Sequence, residues 1–94
     1  MKIEWSAAAL ADLDRFAGFL QDRHPRLSAI VAREIVTKAR ILTDSPRLGR
    51  AIGGRYEYRQ VVLRVLNAAY LFQYRVLEDR IEILRVFHGR ESRD

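Results

Sequence analysis

A chain of 94 residues, 49% of them hydrophobic and 31% charged, has room for one domain spanning residues 1–94 and one core. It holds no cysteine and two histidines, His24 and His88, which excludes disulfides and thiolate sites and argues against structural zinc. No apolar run approaches the ~18 residues of a membrane helix, and the early acidic residues of MKIEWSAAALADLDRF do not suit a signal peptide, so a cytoplasmic protein with no membrane partner, metal or cofactor is expected.

Residues 2–5 alternate polar and apolar, with Ile3 and Trp5 on one side, and predict a first strand. Ser6 then stands where an N-cap belongs, with Trp5 and Leu10 placed to staple the helix start. Leu10, Leu13, Phe16, Ala17 and Leu20 recur at helical spacing as an inner face, and Asp12, Asp14, Arg15 and Asp22 fall mainly on the other side. Pro25 disfavours helical geometry at His24 and should end this helix. A second helix is predicted over residues 26–42, with Val31, Ile35, Ala39 and Leu42 inward. Glu34 and Lys38 form a favourable surface pair on it, and the two-residue joint makes the helices an antiparallel hairpin.

Residues 46–54, PRLGRAIGG, hold three glycines but lack the Gly-Lys-Ser/Thr ending of a phosphate-binding loop, so they are expected to be a flexible connector. The remainder is rich in aromatic and β-branched residues. Strands are predicted over 56–65, 69–77 and 80–87, with turns at Asn67-Ala68 and Glu78-Asp79, and together they form an antiparallel meander. The expected architecture is α+β, in the order β-α-α-β-β-β, with one sheet and both helices on one of its faces.

Charge is unevenly spread. Residues 1–45 carry seven basic and six acidic side chains; residues 46–94 carry six acidic residues and ten basic ones, all arginine. Arginine presents a planar fork of donors suited to phosphates and carboxylates, so the second half faces either nucleic acid, an acidic protein or simply solvent. Apolar residues also occur on both faces of the meander. Val61, Leu63 and Val65 alternate with Val62; Tyr70, Phe72 and Tyr74 with Leu71; Ile81 and Ile83 with Leu84 and Val86. Two helices cover only one face, so the other is expected to take a protein partner, the alternative being a loop, the tail or a second copy.

The order of elements and three strings, EWSAAALADLDRFAGFL, SPRLGR and AYLFQYRVLEDRIEILRVFHGRE, resemble the RelE/ParE toxin superfamily over nearly the whole chain. The resemblance implies a toxin of a type II toxin–antitoxin module. Its expected partner is a cognate, ParD-like antitoxin whose C-terminal segment wraps the toxin as helix and strand. Higher oligomers with that antitoxin are expected, and operator DNA only through it. On this chain Leu71, Gln73, Arg75 and Leu84 are the expected antitoxin contacts.

The superfamily divides between RelE-like members, which cut messenger RNA on the ribosome, and ParE-like members, which poison DNA gyrase. RNA cleavage through the 2′-hydroxyl needs a base, a proton donor and cations. RelE-like enzymes supply lysines on the second strand, an arginine after the tyrosine opening the next strand, another after the last strand, and often a terminal tyrosine or histidine. Here no lysine follows Lys38, Leu71 follows Tyr70, and no tyrosine stands in the tail. Arg59 and, across a one-residue gap, Arg90 are the available cations, and His88 the one titrating side chain. HGRE is closer to ParE-like members. The resemblance therefore implies a gyrase inhibitor, not an enzyme, with Arg59, Arg85, His88 and Arg90 as target contacts. Two alternatives stay open: an mRNA interferase using Arg59, His88 and Arg90, and an inactive member that only binds antitoxin and operator. For Arg85 the alternative is pairing with a nearby carboxylate, and for His88 a surface position at a strand end.

Overall fold

The computed structural model describes residues 1–91. It is an α+β fold with one open five-stranded sheet. In chain order the elements are β1 (Lys2–Trp5), α1 (Ala7–Leu20), α2 (Pro25–Ala39), α3 (Ile41–Asp44), β2 (Arg50–Ile52), β3 (Arg55–Val65), β4 (Ala68–Val76) and β5 (Arg80–His88). The sheet order is β1-β5-β4-β3-β2. The predicted meander β3-β4-β5 is present and antiparallel. β1 lies parallel to β5, pairing Lys2 with Arg80 and Trp5 with Ile83. Between β1 and β5 the chain passes through the helices and the other three strands, far more than the dozen residues a parallel connection requires. No helix among the described residues is long and apolar enough to cross a membrane.

Ser6 caps α1 as predicted: its Oγ accepts from the Ala9 amide at 3.0 Å and donates to the Leu84 carbonyl at 2.8 Å. The buried stripe of α1 is rotated from the expected one, however. Ala9, Asp12, Leu13 and Phe16 face in, whereas Leu10 stays half exposed and Trp5 packs on the core without it. α2 begins on Pro25, whose missing N–H is an orphan at a helix start anyway. The Ser28 hydroxyl donates to the Ala17 carbonyl at 2.7 Å and ties the hairpin together. α2 ends at Ala39, and the stretch predicted to continue to Leu42 becomes the separate turn α3, which still buries Leu42. Glu34 lies 3.8 Å from Arg33, not against Lys38.

The core lies between the helices and one sheet face. Leu13, Phe16, Val31, Ile35, Ala39 and Leu42 meet Leu63, Tyr70, Phe72, Tyr74, Ile81, Ile83 and Val86. Val86 reaches this face through a β-bulge. Tyr74 pairs with Ile83 but Gln73 pairs with Arg85, which leaves Leu84 unpaired. The extra residue resets the two-residue alternation, so Val86, expected opposite Ile81 and Ile83, joins them in the core.

The glycine-rich connector is built, not slack. It carries β2, which pairs with β3 at Arg50–Gln60 and Ala51–Arg59. The Tyr74 hydroxyl donates to the Pro46 carbonyl at 2.7 Å and accepts from the Gly49 amide at 2.9 Å. A Cβ at Gly49 would stand 2.5 Å from the Gln60 carbonyl oxygen, so only glycine fits there. The first meander turn sits one residue earlier than predicted: Val65 pairs with Ala68, and Leu66 and Asn67 both adopt positive φ, 51° and 65°. That is the mirror-image turn that matches strand twist.

Candidate functional site

Beyond Ile83, β5 has lost β1 as a neighbour, and its outer edge would present bare backbone groups. α1 takes over that edge. The Asp12 carboxylate accepts the Val86 amide at 2.7 Å and a fork from Arg85, at 2.9 Å from Nε and 3.0 Å from Nη2. Arg15 bonds the same carboxylate from one turn along and reaches Glu91 at 3.0 and 3.1 Å. Asp12 is 1% exposed. Burial pushes its carboxyl up, but the bonds from Arg85, Arg15 and the Val86 amide outweigh this, and it sits below its ordinary value. Arg85 thus takes the ion-pair alternative raised from the sequence. Asp12 was missed there, although its place one turn before Phe16 puts it on the buried stripe.

Glu91 folds the tail back. Its carboxylate accepts the His88 amide at 2.6 Å, and the Arg90 amide donates to His88 Nδ1 at 3.1 Å. Burial raises the Glu91 carboxyl, and the bond from Arg15 and that from the His88 amide bring it below its usual range. The His88 ring stands edge-on to Tyr70, centroids 5.2 Å apart, and Tyr70 stands likewise to Phe16. Arg90 is exposed. His88, Arg90 and Arg85 are therefore gathered at one end of β5, around Arg15 and Glu91. Residues 92–94, part of the tail in which no tyrosine was found, lie outside the described residues.

Arg59 is elsewhere. It is 8% exposed, and its Nη1 donates to the Gly49 carbonyl at 2.7 Å, beside the Tyr74 hydroxyl that holds the same loop. Arg59 pairs with Tyr74 on one side of β4, and His88 pairs with Tyr70 on the other. Two strand spacings and four residues of strand separate them, about 10 Å across and about 13 Å along.

The sheet face away from the helices carries a row of apolar cross-strand neighbours, Val62–Leu71–Phe87, none of which belongs to the core. Leu71 is 7% exposed and Val62 60%. Gln73, Arg75 and Leu84 are half-buried. The Arg85 guanidinium lies 4.6 Å from the centre of the Phe87 ring, and that of Arg75 5.5 Å from Tyr58. The four expected antitoxin contacts are thus associated with a continuous, partly apolar surface rimmed by arginine, to which Val62, Phe87 and Tyr58 add. Among the described residues no group of three or more His, Asp and Glu is placed to hold a metal.

Comparison with known proteins places this arrangement. The model of the family described as ParE toxin of type II toxin-antitoxin system, parDE, matches residues 3–93. The chain belongs to the ParE toxin family. As a ParE-family protein it is 30% identical over 88 residues to Toxin RelE1 of Caulobacter vibrioides, covering 94% of this chain and 92% of that one. It is 31% identical over 91 residues to the putative toxin Y4kP of Sinorhizobium fredii, covering 97% and 91%. Its fold is that of the chromosomal ParDE TA system from P. aeruginosa, with a TM-score of 0.72, 22% identity and coverage of 94% and 95%. It is also that of the intact E. coli RelBE toxin–antitoxin complex, with a TM-score of 0.61, 16% identity and coverage of 96% and 98%. This ParE-family chain is accordingly a toxin of a type II toxin–antitoxin system within the RelE/ParE superfamily, as the sequence resemblance implied.

Proposed function

We propose that this toxin inhibits DNA gyrase without cutting nucleic acid and is neutralised by a cognate ParD-like antitoxin. The observation that carries the reading is the separation of Arg59 from His88 and Arg90. A ribonuclease needs its base, acid and phosphate-binding cation converged on one phosphodiester, within hydrogen-bond reach of it. Here Arg59 is committed to a loop carbonyl on the β2 side, whereas His88 and Arg90 lie beyond the other side of β4. His88 is also drawn into the tail through Nδ1, and Leu71 occupies the position where the nuclease branch carries an arginine. Arg85, His88 and Arg90 remain the proposed target contacts, presented as one cluster by the Asp12–Arg15–Glu91 network; Arg59 contributes by holding the loop.

The antitoxin's place is the sheet face opposite the helices. An amphipathic segment laid along Val62, Leu71 and Phe87 buries apolar surface, with Gln73 and the arginines at its margin and Leu84 at the bulge. Antitoxin bound there forms the higher oligomer that reaches operator DNA.

The test is a pair of assays on the purified toxin. Supercoiling of relaxed plasmid by gyrase should be inhibited, and messenger RNA on translating ribosomes should remain intact. Codon-dependent cleavage of ribosome-bound message would overturn the reading in favour of an mRNA interferase. Normal growth on expression without antitoxin, with neither effect in vitro, would identify an inactive member.

A further inference from the structure

One end of the sheet gathers cations and tyrosines that the gyrase reading does not use; of them Arg59 holds the loop, and Arg75 and Tyr58 also border the antitoxin surface. At the start of β3, the Arg47 and Arg59 guanidinium groups lie 5.5 and 5.6 Å from the centre of the Tyr56 ring. Those of Arg55 and Arg75 lie 4.7 and 5.5 Å from that of Tyr58. Stacking on a ring fixes a guanidinium without consuming its N–H donors, of which each arginine has five. Few are spent. Arg55 gives one bond to Glu57 at 3.2 Å and Arg59 one to Gly49; among the described residues Arg47 and Arg75 make none. The nearby carboxylates are Glu57 and, across from Arg75, Glu82, so the cluster keeps a positive balance. Tyr56 is 67% exposed.

We propose that this Arg47–Tyr56–Arg55–Tyr58–Arg75 cluster is a binding site for single-stranded nucleic acid. Alternating aromatic faces and cations match the alternation of base and phosphate along a strand. Tyr56 and Tyr58, two residues apart on β3, are spaced by about 7 Å. That is twice the ~3.4 Å rise of stacked bases in a duplex, so the spacing suits unstacked nucleotides. An acidic peptide would engage the cations but leave the exposed tyrosine ring without a stacking partner. Arg47, Arg55 and Arg75 contact phosphates, and the buried Arg59 adds field. No cleavage is implied, because no base stands among these residues.

The site is tested by fluorescence anisotropy of a labelled 12-nucleotide single strand, as DNA and as RNA, titrated with the purified toxin. Binding of either strand is expected, and three phosphate contacts should weaken it about 20-fold between about 50 and 200 mM salt. Tyr56→Ala should weaken it by about 5- to 150-fold, the worth of one stacked base. Arg33→Ala, which removes a positive charge from the exposed face of α2, should change it less than about twofold. Four results each overturn the inference: no binding at low salt, equal losses in Tyr56→Ala and Arg33→Ala, preference for the corresponding duplex, or displacement by oligoglutamate as effective as by unlabelled oligonucleotide. A difference between the DNA and RNA arms names the strand that the site prefers. The assay contains no gyrase, so failure here leaves the gyrase reading untouched, and failure of supercoiling inhibition leaves this one untouched.

Discussion

Asp12 does more than any other residue to join the helical layer to the end of β5. It satisfies a strand amide and two arginines at once, from a carboxylate that is itself buried. Asp12→Ala leaves the Val86 amide and the Arg85 guanidinium without their carboxylate, while Arg15 keeps Glu91. Because both arginine side chains are two-fifths exposed, water recovers part of the loss, and the expected cost is about 2–4 kcal/mol in urea unfolding. The folded carboxyls of Asp12 and Glu91 lie below their ordinary values of 3.8 and 4.5. Their contribution is therefore complete above those values and is lost as pH falls through them toward the lower folded ones. Thermal stability should hold between pH 7 and about 5 and fall below about pH 4.5, with a shallower acid slope in Asp12→Asn; an unchanged slope would mean that other carboxylates carry it. At this scale the sequence was least legible. An aspartate amid alternating charges reads as surface, and its burial follows from the lost pairing partner of β5, a tertiary fact. Arg85 was readable only as a choice between partner and target.

Among the elements, the 46–54 connector departs furthest from expectation. Glycines ordinarily announce freedom, yet Gly49 is there because the backbone passes against Gln60 and the Tyr74 hydroxyl. Gly49→Ala should destabilise by about 2–3 kcal/mol, since backbone and a buried ring must both move. Tyr74→Phe should cost about 1–3 kcal/mol by leaving the Gly49 amide unsatisfied. Both are read from denaturant midpoints, and a Tyr74→Phe protein as stable as the parent would remove the hydroxyl from the account. The β3–β4 turn offers the opposite sign. Asn67 holds φ at 65°, where glycine is freer, so Asn67→Gly should raise stability by up to about 1 kcal/mol. The meander, both helices and the Ser6 cap were legible because periodicity and capping are local. The bulge at Leu84 and the strand β2 were not, because a slip of register and a three-residue pairing leave no periodic trace.

For the whole molecule, the two sheet faces divide the work. One is sealed by the helices; the other carries the Val62–Leu71–Phe87 row. Val62 is the exposed member and contributes little to the fold, so Val62→Glu should leave the unfolding midpoint within about 0.5 kcal/mol of the parent. It should weaken antitoxin binding, measured by calorimetry, at least about tenfold by burying a charge in an apolar contact. Undiminished affinity would move the antitoxin to another surface. The apolar row on this face was visible in the alternation of the strands; which side chains form it depended on the bulge. The position of β5 carries a last consequence, in the timing of synthesis. It comes last in chain order among the described strands, yet it lies between β1 and β4. Until it leaves the ribosome, β1 has no neighbour, α1 has no edge to cover, and the sheet is two unconnected pieces. Contacts so distant along the chain also form slowly. A nascent chain that has not yet released β5 thus holds β1 and its β2-β3-β4 sheet apart, and joins them only when the last described strand slots between β1 and β4.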